Sequence, residues 1–353
     1  MPLLARMVAT PLHIDIRRGS LADLAGVLAD QRISYGGKIA VVTSAGSAQA
    51  MRELLDTSLP KADWVVAKDS SLDTAMEIAD QLRESDYDAL VGVGGGRVLD
   101  IAKYVAARVG LPMISCATNL AHDGLASPVA ILDNNSGRGS YGVPLPLAVI
   151  VDIDVVRKAQ PEMITSGIGD ALSNLSALAD WELGEQDLGE YVDGLAVIMA
   201  RTAADALLHR EDSVSSDGFL VSLAEALVMS GLAMSVAGTS RPCSGACHEI
   251  SHAIDRLFPE RRVSHGMQVG VGAVFANYLR GDEVLAQRTA ACLRRHDLPV
   301  THVDLGYTND EFSEIVEFAP QTRPGRYTIL EKLDLTRPEI DERVADFTQI
   351  FQG

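Results

Sequence analysis

The sequence is short of positive charge: 30 Lys and Arg stand against 48 Asp and Glu, leaving the 353-residue chain at a formal charge of −18 and a pI near 4.8. A protein holding nucleic acid by its phosphates needs a basic surplus or at least a basic stripe, and neither is present. Cysteine is scarce too. Four residues, Cys116, Cys243, Cys247 and Cys292, do not make a disulfide framework. Apolar runs such as residues 39–42 and 147–151 fall far short of the roughly 20 residues that span a bilayer. The opening stretch MPLLARMVATPLHID carries an early Arg6 but no sustained apolar core before a small-residue cleavage site. The expectation is a cytoplasmic protein with neither nucleic-acid nor membrane partners.

What is present is the composition of a folded enzyme-sized chain, 47% hydrophobic and 22% charged. The length suggests two domains. From residue 38 to about 154, the segments KIAVVTSAGSA, DWVVAKD, DALVGVGGG, LPMISCATN and LAVIVDID read as buried strands running into loops. Between them, residues 47–59, 71–85 and 98–109 carry apolar residues at helical spacing. That alternation predicts a parallel sheet with crossover helices, whose ligands sit at the carboxyl ends of the strands. After Pro161 the strand pattern fades, and residues 171–181, 189–209, 217–237, 248–257, 268–279 and 283–296 suit helices. The predicted architecture is an α/β domain over 1–160 followed by an all-α domain over 161–353. There is no internal repeat or low-complexity linker, so a cleft between the two is expected to hold the active site.

VGVGGGRVLDIAKYVA places Gly94, Gly95 and Gly96 between a strand, the third in this reading, and a helix whose first turn carries Asp100. Without Cβ atoms the backbone approaches a pyrophosphate closely, and the helix amides and dipole favour its charge. One strand later, SCATNLAHDGLASP gathers Thr118, Asn119, His122, Asp123 and Ser127 between turn formers, as a binding loop does.

The metal candidates lie in the second half. SGIGDALSN puts Asp170 at the start of a predicted helix, SGACHEISHAID sets His248 and His252 one turn apart on one face, and SHGMQVG adds His265. One carboxylate with two or three imidazoles and an open position suits catalytic zinc or ferrous iron. His248 to His252 also spell H-E-x-x-H, the zinc-protease pattern, but no third histidine follows in frame and the glycine loop would go unexplained. Cys243, Cys247 and His248 fall short of the four ligands a closed zinc site needs.

Taken in order, GVGGGRVLDIAK, HDGLASP, SGIGDALSN, SGACHEISHAID and SHGMQVG resemble the sn-glycerol-1-phosphate dehydrogenase family, within the superfamily of iron-containing alcohol dehydrogenases, glycerol dehydrogenases and dehydroquinate synthases. The resemblance covers residues 38–280. It implies a dehydroquinate synthase-like fold and metal ligands at Asp170, His248 and His265, normally for zinc ahead of iron(II). It further implies NAD(H) or NADP(H) lined by Gly94, Gly95, Gly96, Arg97, Val98, Leu99, Asp100, Thr118, Asn119, Leu120, Ala121 and Ser127, and substrate contacts at Asp123, Asp170 and His252. Iron-type alcohol dehydrogenases carry a histidine four residues after the metal aspartate, where this chain has Asn174. Family members commonly carry Pro-Thr before the HDG loop and glutamate ahead of the first metal histidine; here stand Ala117-Thr118 and Cys247.

The expected reaction is reduction of dihydroxyacetone phosphate to sn-glycerol 1-phosphate and its reverse, the metal polarising the ketone. Asp123 and His252 are the expected catalytic residues, His252 as proton relay with His122 as the alternative. Arg241, Arg261 and Arg262, which flank the metal histidines in sequence, are the candidates for meeting a substrate phosphate. Alternatives are a reductase of another small polyol or phosphorylated ketone, a non-redox lyase or cyclase like dehydroquinate synthase, and an idle binding protein. A homo-oligomer is expected on base rates.

Overall fold

The computed structural model describes residues 8–135 and 137–352, so the Arg6 reading lies outside the described residues. The chain divides into two compact units, Met1–Gln160 and Pro161–Gly353.

The first unit contains β1 (His13–Arg17), β2 (Ile39–Ser44), β3 (Asp63–Ala67), β4 (Ala89–Gly94), β5 (Met113–Ala117), β6 (Val129–Asn134), β7 (Gly137–Gly142) and β8 (Ala148–Asp152). Its helices are α1 (Leu24–Leu28), α2 (Ala48–Leu55), α3 (Leu72–Arg83), α4 (Gly96–Val109) and α5 (Ile153–Val156). Six strands form one parallel sheet in the order β1-β8-β5-β4-β2-β3, and β6 and β7 make an antiparallel pair. β4, β5 and β8 are buried along their whole length, which is why their sequences read as unbroken apolar runs. Val41, Val91, Ile114 and Ile150 pack with Leu21, Leu24 and Leu55 in a single core.

The chain steps outward from β2 to β3 and then turns back through β4 toward β5 and β8. The reversal falls between β2 and β4, and at such a reversal the loops beyond neighbouring strands diverge and open a crevice. The glycine loop at the end of β4 is therefore placed by topology. It closes the fourth strand in chain order, not the third, because β1 precedes it. HIDIR alternates polar with apolar residues and lies on the sheet edge, so it lacks the apolar run that marked the inner strands. The β6–β7 hairpin, rich in glycine and polar residues, is a second element the sequence reading did not contain.

Among its described residues the second unit is helical: α6 (Glu162–Leu188), α7 (Gly194–Leu208), α8 (Asp217–Ala237), α9 (Ala246–Leu257), α10 (His265–Leu279), α11 (Glu283–Arg295), α12 (Asn309–Phe318), α13 (Ile329–Leu333) and α14 (Arg337–Phe351). Most starts are capped as their sequences suggest: Asp193 accepts from the amides of Leu195 and Ala196, and Thr308 forms a capping box with Glu311. α8 is long and apolar enough to cross a membrane by length and composition alone, but 61% of its most apolar window is buried within the protein.

α6 corrects one expectation. It begins at Glu162 and runs for 27 residues, so Asp170 lies in the helix interior and not at its start. The glycines of SGIG, ahead of which no helix was expected, lie inside this one and admit another helix. A Cβ on Gly169 would come 2.1 Å from the Gly266 carbonyl oxygen, and one on Gly266 would come 1.7 Å from that of Ser166. On the far side of α10, a Cβ on Gly272 would meet the Cys247 carbonyl at 2.8 Å. Glycine inside a helix costs about 1 kcal/mol relative to alanine. Here that cost lets α6, α9 and α10 approach at backbone distance, one residue from Asp170, His248 and His265 respectively, or within a turn or two of them.

Candidate metal centre and dinucleotide loop

In the first unit, α4 starts on Gly95 with no side-chain cap, so the amides of its first turn are not claimed by a capping side chain. Gly95 and Gly96 are half-exposed and Arg97 is exposed, whereas Gly94, Val98, Leu99 and Asp100 are buried. The space that Cβ atoms would take is used by the neighbouring loop: a Cβ on Gly95 would meet Asn119 Nδ2 at 2.5 Å, and one on Gly96 would meet His122 Nε2 at 2.1 Å. The glycines thus seat the loop that follows β5 as well as leaving the helix amides open. Thr118 ties the two loops, its amide donating to the Gly94 carbonyl at 3.0 Å. Thr118, Asn119 and Ala121 are half-exposed and Leu120 is buried.

Lys103, absent from the sequence reading, organises this region. Its ammonium is completely buried, pairs with Asp100 at 2.8 Å, and donates to the Ser127 hydroxyl at 3.3 Å and to the Val129 carbonyl. Asp100 and Ser127, expected from the resemblance to line the cofactor, therefore both serve Lys103. The signal that could have found it is the Asp–Lys pair three apart on one helical face. His122 Nδ1 accepts from the Gly124 amide at 3.0 Å, and burial lowers the His122 pKa. Burial raises the Asp123 pKa to about 6, against the pull of Lys103.

In the second unit Asp170, His248 and His265 converge, with one ligand atom from each within 4.8 Å of the others. His265 Nε2 lies 3.7 Å from Asp170 Oδ1, and the two imidazole rings meet edge to face at 5.0 Å. Hydrogen bonds fix the tautomer of His265. The Ser251 hydroxyl donates to Gln268 Oε1 at 2.7 Å, so it accepts from His265 Nδ1 at 3.2 Å, and the Nε2 lone pair is left facing Asp170. Burial, with further positive groups around it, holds the His248 pKa well below its ordinary value, in the neutral form that ligates. The donor set therefore fits a divalent cation with an open coordination position.

Cys247 stands 3.4 Å from His248 Nδ1, and burial pushes its thiol up to about 12. It remains a thiol and supports the imidazole instead of ligating. All four cysteines are free and buried.

His252 is not brought into this cluster. Its Nε2 is 3.0 Å from Arg323 Nη2, and since a guanidinium only donates, that nitrogen must be unprotonated. Glu249 is fully buried, its Oε2 is 3.1 Å from the Thr328 hydroxyl, and burial raises its pKa to about 8. The H-E-x-x-H reading fails on this geometry, because its second histidine and its glutamate have other partners. Asn174 donates to Ser230 Oγ at 2.8 Å and to the Ala200 carbonyl at 3.3 Å, so it packs toward α7 and α8. Of the expected phosphate arginines, Arg241 is paired with Glu190 and Arg261 with Glu311, while Arg262 is exposed.

The profile of iron-containing alcohol dehydrogenases matches residues 15–160. The fold is that of a probable glycerol dehydrogenase from Sinorhizobium meliloti, with a TM-score of 0.79 at 22% identity over 99% of both chains. It is also that of a sulfoacetaldehyde reductase from Bifidobacterium kashiwanohense solved with NAD+, with a TM-score of 0.74 at 15% identity over 98% of this chain and 99% of that one. In sequence, the glycerol-1-phosphate dehydrogenase of Thermofilum pendens is 36% identical over 92% of this chain and 93% of its own. That of Methanosarcina barkeri is 32% identical over 98% and 97%. Identity at this level along nearly the whole of both chains settles kinship where the fold alone would not: the chain belongs to the glycerol-1-phosphate dehydrogenase family.

Proposed function

We propose that this protein interconverts dihydroxyacetone phosphate and sn-glycerol 1-phosphate with NAD(H) or NADP(H), using a divalent ion held by Asp170, His248 and His265, zinc ahead of iron(II). The observation that carries the reading is the convergence of those three side chains with their donor atoms within 4.8 Å. The names of the relatives, glycerol-1-phosphate dehydrogenases acting with NAD(P)+, supply the substrate.

Bound there, the ion supplies Lewis acidity toward a ketone oxygen. The chain's own part begins with one carboxylate and two neutral imidazoles, which leave a site of net charge near +1. Ser251 and Gln268 hold the His265 ring to one tautomer. Asp123 and His252 contact the substrate hydroxyls, and His252 Nδ1 is the nitrogen that carries its proton. The half-exposed Gly95, Gly96, Thr118, Asn119 and Ala121, with Arg97, receive the dinucleotide, its pyrophosphate resting on the open amides of α4. Thr43 and Ser44 at the end of β2 and Ser47 in the loop after it form one hydroxyl cluster, which neither repels nor grips a 2′-phosphate. The working form is a cytoplasmic homo-oligomer with a small-molecule substrate.

The test compares NAD(P)H oxidation with dihydroxyacetone phosphate against unphosphorylated dihydroxyacetone, with metal content measured alongside. The phosphorylated ketone should be strongly preferred. His265→Ala should lose stoichiometric metal and turnover together; metal and activity both retained would sink the assignment.

A further inference from the structure

A phosphorylated substrate brings two negative charges into a chain that already carries a surplus of 18. Of the arginines that flank the metal histidines in sequence, Glu190 and Glu311 occupy Arg241 and Arg261, and Arg262 is exposed. Half-buried positive charge is present further along the chain, in the segment leading up to Thr328 and α13. Arg323 and Arg326 are both half-buried, and among the described residues no carboxylate forms an ion pair with either.

Their partners are neutral and shared. Arg323 Nη1 and Arg326 Nη2 both donate to the Ser240 hydroxyl, at 3.3 and 2.9 Å. Arg323 Nη2 donates to His252 Nε2, and Arg326 Nη1 donates to the Ser244 carbonyl. Each guanidinium carries five donor hydrogens, so both forks keep donors to spare. The segment between them is pinned at each end. Thr322 donates to the Ala319 carbonyl at 2.7 Å, and the Ile329 amide donates to the buried Asp180 at 2.8 Å. Burial lowers the pKa of Arg323, and burial with the nearby charges of Arg323 and Arg241 lowers that of Arg326 to about 10. Two like charges brought together out of water at a cost, with Glu249 and Glu190 acting on them only from beyond ion-pair contact, mark a place built for an anion from outside. Both arginines act electrostatically on His248, and one touches His252, so the anion would lie beside the metal centre.

We propose that Arg323 and Arg326, converging on Ser240, bind the dianionic phosphoryl group of the substrate. This rests on the proposed function and names the residues that set its preference for a phosphate monoester. Planar guanidinium forks match phosphate oxygens in pairs, which a lysine in either place would not reproduce.

The experiment uses the metal-loaded enzyme with Arg323→Ala, Arg326→Ala, the double variant and Arg326→Lys. Kinetics with dihydroxyacetone phosphate and with dihydroxyacetone give the ratio of the two kcat/KM values. Each alanine should lower that ratio roughly 10- to 100-fold, mainly through KM for the phosphorylated ketone, the range expected for losing charge-assisted hydrogen bonds. Arg326→Lys should recover only part. Inorganic phosphate, followed by calorimetry, should bind the wild type and bind the double variant at least tenfold more weakly, with melting temperature and metal content checked in parallel. Equal losses on both ketones, or undiminished phosphate binding in the double variant, would overturn the assignment. A wild type with no preference for the phosphorylated ketone refutes the proposed function instead, and phosphate binding still decides the arginine pair.

Discussion

Gly266→Ala tests whether helix contact builds the metal centre. The added methyl would sit 1.7 Å from the Ser166 carbonyl oxygen and 2.8 Å from Ser166 Oγ. An ordinary contact needs roughly 3.5 Å, so α10 must withdraw from α6 by about 1.8 Å. The obstacle is backbone, which cannot rotate aside. Overpacking of this kind costs about 1–3 kcal/mol, and the 3.0 Å hydrogen bond from the Gly266 amide to Ser166 Oγ, worth about 1 kcal/mol, is lost with it. In a unit of this size that lowers the melting temperature by about 4–16 °C. The effect on the site is larger in proportion, because His265 starts α10 and metal bonds tolerate only about 0.2 Å of displacement. Metal stoichiometry should fall well below one, and activity by roughly 10²-fold or more. Gly194→Ala is the control: it lies in the first turn of α7 with nothing within 4 Å of its added Cβ, and should be neutral or stabilising by about 0.4–1 kcal/mol. Thermal unfolding and elemental analysis of both variants decide the matter. A Gly266→Ala protein that melts within a degree of wild type and keeps its metal would refute the idea that these glycines set the ligand geometry.

Lys103→Met strands the buried Asp100 carboxylate and should cost about 3–5 kcal/mol, whereas pairing it with Asp100→Asn should restore most of the loss. Denaturant midpoints of the single and double variants measure this, and a single variant as stable as wild type would contradict it. Asp123→Asn should remove a contribution to stability that wild type loses on going from acid to neutral pH. With its folded pKa near 6, above the ordinary 3.8, the native chain keeps a proton that the unfolded chain releases, so this group's contribution falls as pH rises from about 4 to 6. The urea midpoint at pH 7, taken relative to that at pH 4.5, should therefore be higher in the variant than in wild type; an unchanged difference would show that Asp123 does not titrate in this window.

The inner strands were legible because burial on both faces writes itself into sequence as continuous Val, Ile, Leu and Ala. β1 was not, since it lies on the sheet edge with none of its residues buried and needs no such run. The glycine loop announced itself by type, yet its meaning was half read: Asn119 and His122 fill the space the absent Cβ atoms leave. Asp170 was found as a residue and misplaced as a position. Helix propensity stops a helix at SGIG, and only the close approach of α10 explains why α6 runs through it.

Charge was the least legible property, for a reason that reaches the function. Sequence gives the sign of an arginine but not its counterion, so Arg241 and Arg261, near the metal histidines along the chain, looked like the better anion ligands. Folding hands those two to Glu190 and Glu311 and leaves Arg323 and Arg326 beside His252 with only neutral partners. The acidic excess of the chain sharpens the point. With 48 carboxylates available, an unpaired pair of guanidiniums is a specific placement, since pairing either would have taken one acidic side chain on a neighbouring turn. On the proposed reading, anion recognition rests on local arrangements, the uncapped amides of α4 and the forks at 323 and 326, held within a field that opposes them.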